Sequence, residues 1–103
     1  MKRRPGDIEA QKDVIDALAA AINGLRGSDE VRAFLEDLCT PAELEAMTDR
    51  WGVVPLLQEG IPYREIHDRT QVSVTTIGRV ARTLDRGAGG YDLAVRRSRG
   101  RSG

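Results

Sequence analysis

Four aromatic residues are all that this 103-residue chain has: Phe34, Trp51, Tyr63 and Tyr91. That is little material for a self-sufficient core, and a domain of this length keeps much of its surface wet. Association with a second copy is one way to gain core. Cys39 is the single cysteine, so no internal disulfide forms and no oxidising compartment is required. The single histidine, His67, has no partner at metal-ligand spacing, so no metal centre is expected. There is no glycine-rich phosphate loop and no pair of carboxylates in a catalytic frame. With one histidine and one cysteine besides, an enzyme is not expected, and no cofactor is required. No apolar run approaches the ~20 residues of a membrane span. The first residues lack the apolar stretch of a secretory leader, so a cytoplasmic location is the expectation.

The chain also lacks net charge, but its charges are segregated. Lys2, Arg3 and Arg4 make the first residues basic. Residues 5–60 hold four basic side chains against twelve acidic ones, and residues 61–103 hold nine arginines against four acids. An acidic body with a basic C-terminal third suits a protein that turns one face to a polyanion.

What is present is helical periodicity. Residues 1–6 read as a loose basic arm. From Asp7, Ile8, Ile15, Leu18, Ile22 and Leu25 recur at helical steps, with Ala10 and Val14 between them, and Gly24 and Gly27 close the helix. Ser28 reads as the cap of a second helix, with Asp29 and Glu30 in its first turn and Val31, Phe34, Leu35 and Leu38 as its apolar stripe. Thr40-Pro41-Ala42-Glu43 is a capping signal: a hydroxyl cap, a proline at the first position, and a carboxylate that can reach back. A third helix follows with Leu44, Met47, Trp51, Val54 and Leu57. Pro55 predicts a kink or break within it, and Gly60 ends it. A short helix from Ile61-Pro62 to about Arg69 buries Ile66, and Thr70-Gln71-Val72 make a tight turn. Ser73 caps a helix from Val74 to about Leu84 whose inner side is Ile77, Val80 and Leu84. The segment 87–90 is a flexible joint before a last short helix around Tyr91, Leu93, Ala94 and Val95. Residues 96–103 read as a disordered basic tail, leaving one helical domain over 7–95.

Two short helices with a tight turn, the second rich in small polar residues, describe a helix-turn-helix over about 62–84. The outer positions of its second helix are Thr75, Thr76, Gly78, Arg79 and Arg82. Small side chains let a helix sink into the major groove, threonine meets base edges or a thymine methyl, and arginine grips guanine or phosphate. The turn has no glycine, however, and a plain helical hairpin that covers a core fits the same pattern. Arg79 suits a base, a ligand carboxylate or solvent. Arg50 suits a ligand or an interhelical salt bridge. Trp51 reads as core or dimer interface, Cys39 as a small buried residue, and His67 as facing solvent or phosphate. Arg96, Arg97, Arg99 and Arg101 suit either phosphate contact or a solubilising tail.

The run F34-L-E-D-L-C-T-P-A-E-L-E-A-M-T-D-R50, followed by L56-L-Q-E-G60, P62-Y-R-E-I66 and S73-V-T-T-I-G-R79, resembles the Trp repressor superfamily. Within it, the chain looks most like the YerC/YecD-type branch, over roughly residues 12–95. The resemblance implies an all-α fold, an intertwined homodimer of six-helix chains in which each helix-turn-helix faces one half-site of double-stranded DNA. It places Arg64 and His67 at first-helix positions that contact DNA, and Val74, Thr75, Thr76, Gly78 and Arg79 at base-facing positions. It places Thr40, Arg50, Arg79 and Thr83 around a tryptophan pocket. Val80 stands where the Trp repressor has a glycine against the ligand, and three added carbons fit poorly in a close-packed site. Pro55 also departs from the family pattern. The resemblance therefore implies an effector smaller than or different from tryptophan, or none.

The function expected is a sequence-specific transcriptional regulator acting as a repressor. Arg64, Arg82 and the basic tail would hold phosphates, while Thr75, Thr76 and Arg79 would set sequence preference. The alternative is a helical dimerisation or adaptor module without specific DNA binding.

Overall fold

The structure is a computed structural model and describes residues 8–101. Among these residues there are six helices and no strand: α1 (Ile8–Asn23), α2 (Gly27–Leu38), α3 (Pro41–Gln58), α4 (Tyr63–Thr70), α5 (Val74–Arg86) and α6 (Gly90–Arg101). No described helix is long and apolar enough to cross a membrane. The basic arm expected at 1–6 lies outside the described residues. The chain divides into two compact units, Met1–Pro41 and Ala42–Gly103.

The first unit holds α1 and α2. Its side chains from Ala10 onward include none that is buried: Val14, Ile15 and Leu18 on α1 and Leu38 on α2 are all exposed, Ile15 to 61%. Ser28 is not the cap of α2. The helix starts one residue earlier, at Gly27, with Arg26 as its cap residue. The Arg26 N–H donates to the Glu30 carboxylate at 2.7 Å. A carboxylate reaching back to the cap amide supplies the half of a capping box that Ser28 does not.

The second unit holds the buried core: Val53 and Val54 of α3, Ile66 of α4, Val72 between α4 and α5, Ile77 and Val80 of α5, and Val95 of α6, with Leu57, Ile61, Leu84 and Tyr91 packed against them. Each fully buried side chain among them contributes about 1.5–3 kcal/mol. Pro41 opens α3 with Glu43 in its first turn, where the sequence places them. The break expected ahead of Pro55 is absent, because α3 runs through it to Gln58. Proline removes the hydrogen bond to the Trp51 carbonyl, but full burial of Val53 and Val54 just before it holds the helix in place. The apolar stripe of α3 is split. Val54 faces the core, whereas Met47 and Trp51 lie exposed, Trp51 to 41%. The helix ends at Gly60, whose φ of +79° lets its N–H reach Leu57 O at 3.0 Å while the Ile61 N–H reaches Leu56 O at 3.1 Å. This is a Schellman closure, which requires the left-handed residue glycine supplies.

At the other end of the unit, the disordered tail expected from residue 96 is corrected through Arg101, the last residue of α6. Arginine is a good helix former, and Asp92 pairs with Arg96 one turn on at 3.4 Å. Cationic side chains also suit a helix C-terminus.

Candidate nucleic-acid interface

The connection between α4 and α5 is three residues long and built without glycine. Gln71 takes the left-handed conformation, φ 65° and ψ 10°, and its N–H donates to His67 O at 2.7 Å, closing α4. Its side-chain amide adds a bond to Asp68 O at 3.1 Å. Thr70 Oγ1 donates to Ile66 O at 2.7 Å and accepts the Val72 N–H at 3.1 Å. The carbonyl of Val72 accepts from His67 Nδ1–H at 2.8 Å. Val72 is thus held by its N–H, its C=O and its buried side chain. These bonds set the backbone direction at which Ser73 begins α5.

Ser73 is the cap the sequence indicates. Its Oγ accepts the Thr76 N–H at 3.1 Å and donates to Thr76 Oγ1 at 3.0 Å. The bond to the amide removes one unpaired donor from the helix start, worth about 1 kcal/mol. From there α5 is two-sided. Ile77 and Val80 are fully buried and Leu84 partly so. Val74, Thr75, Arg79 and Arg82 are exposed, and Thr76 and Gly78 half-buried. The exposed face carries no carboxylate until Asp85, and neither Arg79 nor Arg82 has an ion pair among the described residues. On α4, Arg64 is exposed, and Arg69 is engaged by Glu65.

The structure thus brings Arg64, His67, Ser73, Val74, Thr75, Thr76, Gly78, Arg79 and Arg82 onto one helix pair. His67 is less free than the sequence suggests, being half-buried and tied to the turn. No local signal in the sequence points to that bond, because it depends on the path of the chain five residues on.

The candidate effector residues fare differently. Val80 is 1% exposed and belongs to the core. Thr83 borders a cavity of about 360 Å³ with Leu84, Ala88, Gly89, Gly90, Tyr91 and Asp92, at the joint between α5 and α6. Thr83 and Arg79 also border an open depression with Arg82, Arg86 and Gly87. Gly87 is required there, since a Cβ would fall 2.5 Å from Thr83 O. Arg50 is half-buried with no ion pair among the described residues. Thr40 is exposed at the start of α3. Cys39 is half-buried and in no disulfide. No cluster of metal-ligating side chains occurs among the described residues.

An all-helical chain with a tightly turned, cation-faced helix pair defines a class, and comparison with known proteins gives the family. The family model described as Trp repressor protein matches residues 13–99. An uncharacterised protein of Bacillus subtilis (strain 168), YerC, is 36% identical over 83 residues, covering 81% of this chain and 80% of its own length. A TrpR-like protein from Eubacterium eligens is 36% identical, with a TM-score of 0.76 over 82% of this chain and 88% of its own. A Staphylococcus aureus protein, solved as a candidate Trp repressor, is 31% identical with a TM-score of 0.80, over 90% of this chain and 94% of its own. The chain belongs to the Trp repressor family, whose membership suggests a DNA-binding regulator.

Proposed function

We propose that this chain is a sequence-specific DNA-binding repressor that works as a homodimer. The observation that carries the reading is the outer face of α5: Val74, Thr75, Arg79 and Arg82 stand outward, with Gly78 half-buried between them, on a helix whose other side is anchored in the core. A helix built only to cover a core has no need of a face made of small side chains and unpaired arginines. On the groove floor, Thr75, Thr76 and Arg79 read base edges, with Val74 offering apolar contact to a thymine methyl. Arg64 and Arg82 hold phosphates, and repression follows from occlusion of the promoter.

The dimer is supported by the apolar surface left open within each unit. Val14, Ile15 and Leu18 in the first and Met47 and Trp51 in the second are exposed, and exposed apolar side chains of this kind are what a second copy would cover. Two copies would present two α5 helices to successive major grooves. The operator is then a pseudo-palindrome with half-site centres about 34 Å apart. Selection from random duplexes, run at two salt concentrations, tests the whole reading. A palindromic consensus is the expected result, whereas weak binding without sequence preference would make the chain a helical dimerisation or adaptor module instead. We read any effector as smaller than or different from tryptophan, because the resemblance puts Val80 where the family has a glycine against the ligand, and Val80 is buried in the core here.

A further inference from the structure

The bond between His67 and Val72 has a chemical consequence for DNA binding. Val72 O is a carbonyl and only accepts, so His67 Nδ1 carries the hydrogen of the 2.8 Å bond. A neutral imidazole has one N–H. With Nδ1–H committed, Nε2 is a bare lone pair. Nε2 has no partner among the described residues and is not fully enclosed. A phosphate diester at neutral pH has only acceptor oxygens. A lone pair meets such an oxygen with repulsion, and contact requires a second hydrogen on the ring.

On α4, Glu65 is engaged by Arg69, which leaves Arg64, Asp68 and the phenol of Tyr63. On α5, the helix packed against α4, Asp85 lies beside Arg86 at 3.5 Å, which leaves Arg79 and Arg82. The three residues of the turn, Gln71 to Ser73, carry no charge, nor does Thr70 at the end of α4. Of the carboxylates on these two helices, Asp68 alone is not already beside an arginine, against three arginines without an ion pair among the described residues. A phosphate arriving at the helix pair supplies the missing anion.

We propose that DNA binding by this chain takes up a proton at His67: pinned to Val72 through Nδ1, the ring meets a backbone phosphate only when Nε2 also carries hydrogen. This rests on the DNA-binding reading but not on sequence preference, since phosphates are the same on every duplex. The sign follows from linkage. The bound state favours the imidazolium, so affinity is greatest at low pH and falls as pH rises through the range in which imidazole titrates. The limit is about tenfold in Kd per pH unit for each chain that gains a full proton.

The test is calorimetric titration of the full chain with a random-sequence duplex, at constant ionic strength, in two buffers of different ionisation enthalpy. Kd is measured in parallel across the pH range. The expected result is a binding enthalpy that depends on the buffer, together with a Kd that rises with pH. His67→Asn keeps an amide donor for Val72 O and has nothing to titrate, so uptake disappears and Kd becomes flat with pH. His67 is the only histidine, so an absence of uptake by the wild-type chain overturns the proposal even if the variant does not fold. Equal enthalpies in both buffers, or unchanged uptake in a folded His67→Asn, overturn the proposal while leaving DNA binding intact. Uptake on every duplex alike supports it and removes only the specificity of the reading above. Failure to bind any duplex overturns both.

Discussion

Gly78 on α5 looks onto Tyr63 on α4, and a Cβ built on the glycine would stand 3.8 Å from Tyr63 Cε2 and 3.8 Å from Arg82 Nη1. Both are ordinary van der Waals distances, so neither packing nor backbone requires glycine at this position. A glycine inside a 13-residue helix is a cost with no structural return, which directs attention to what lies outside the helix.

Gly78→Ala therefore separates stability from function. Alanine is the better helix former by about 1 kcal/mol, so the variant unfolds at higher urea concentration, by about 0.5–1 kcal/mol. On the preferred duplex it binds more weakly by about 1 kcal/mol or more, because the methyl holds α5 off the groove floor. Denaturation and anisotropy titration on the same sample check both signs. A variant that is more stable and binds as tightly as wild type shows that Gly78 does not face DNA.

Gln71 offers a second stability test with the opposite bearing on function. A side chain in the left-handed region costs about 1–2 kcal/mol, and Gln71 recovers part of this through its bond to Asp68 O. Gln71→Gly removes the strain and gives up that bond and some unfolded-state entropy. The expected gain is about 0.5–1 kcal/mol in unfolding free energy, with DNA affinity unchanged. Gln71→Ala loses the bond and keeps the strain, so it should unfold more easily than wild type. If the order of these two variants is reversed, the turn is not held as described.

Much of this arrangement is legible in the chain itself. Ile66, Ile77, Val80 and Leu84 recur at helical spacing and do form the inner side of the α4–α5 pair, because the burial that drives them is local and periodic. The Ser73 cap is readable for the same reason, as one side chain meets an amide three residues on. The glycine-free turn is harder: the usual signal is absent, and its bonds join side chains to a backbone path that does not exist until the chain has turned. The division of α3 also escapes a single-stripe reading. Met47, Trp51, Val54 and Leu57 are alike as residue types, and only the partner of each face tells them apart. Pro55 misleads because propensity is a local term, outweighed here by buried Val53 and Val54. The order of residues 96–101 is missed because a basic, polar composition is read as disorder, whereas arginine spacing after Asp92 also suits a helix.

Arg79 and Arg82 are expected to differ in kind. Arg79→Ala should lose about 1–3 kcal/mol on the selected duplex and relax preference among sequences, as removal of a base contact does. Arg82→Ala should weaken binding to all duplexes alike and lower the salt slope by about 1, as removal of a phosphate contact does. Affinities measured at several salt concentrations on selected and scrambled duplexes resolve the two. Identical behaviour of both variants would mean that α5 attracts DNA by charge without reading it.

Val80 bears on whether this chain senses tryptophan. At 1% exposure it packs with Ile77 and the buried valines, so Val80→Ala should cost about 1–2 kcal/mol as a cavity-forming change. A valine lining an open ligand site would cost far less. The same burial predicts that L-tryptophan leaves the melting temperature of the wild-type chain unchanged. Were tryptophan bound, a hundredfold excess over Kd would add about 2.7 kcal/mol. At about 4–8 °C per kcal/mol for a domain of this size, that would shift the melting temperature by more than about 10 °C. A scan with and without the amino acid is therefore decisive. A clear upward shift would mean that the site opens around Val80 when ligand binds, and that the effector has the family's own identity.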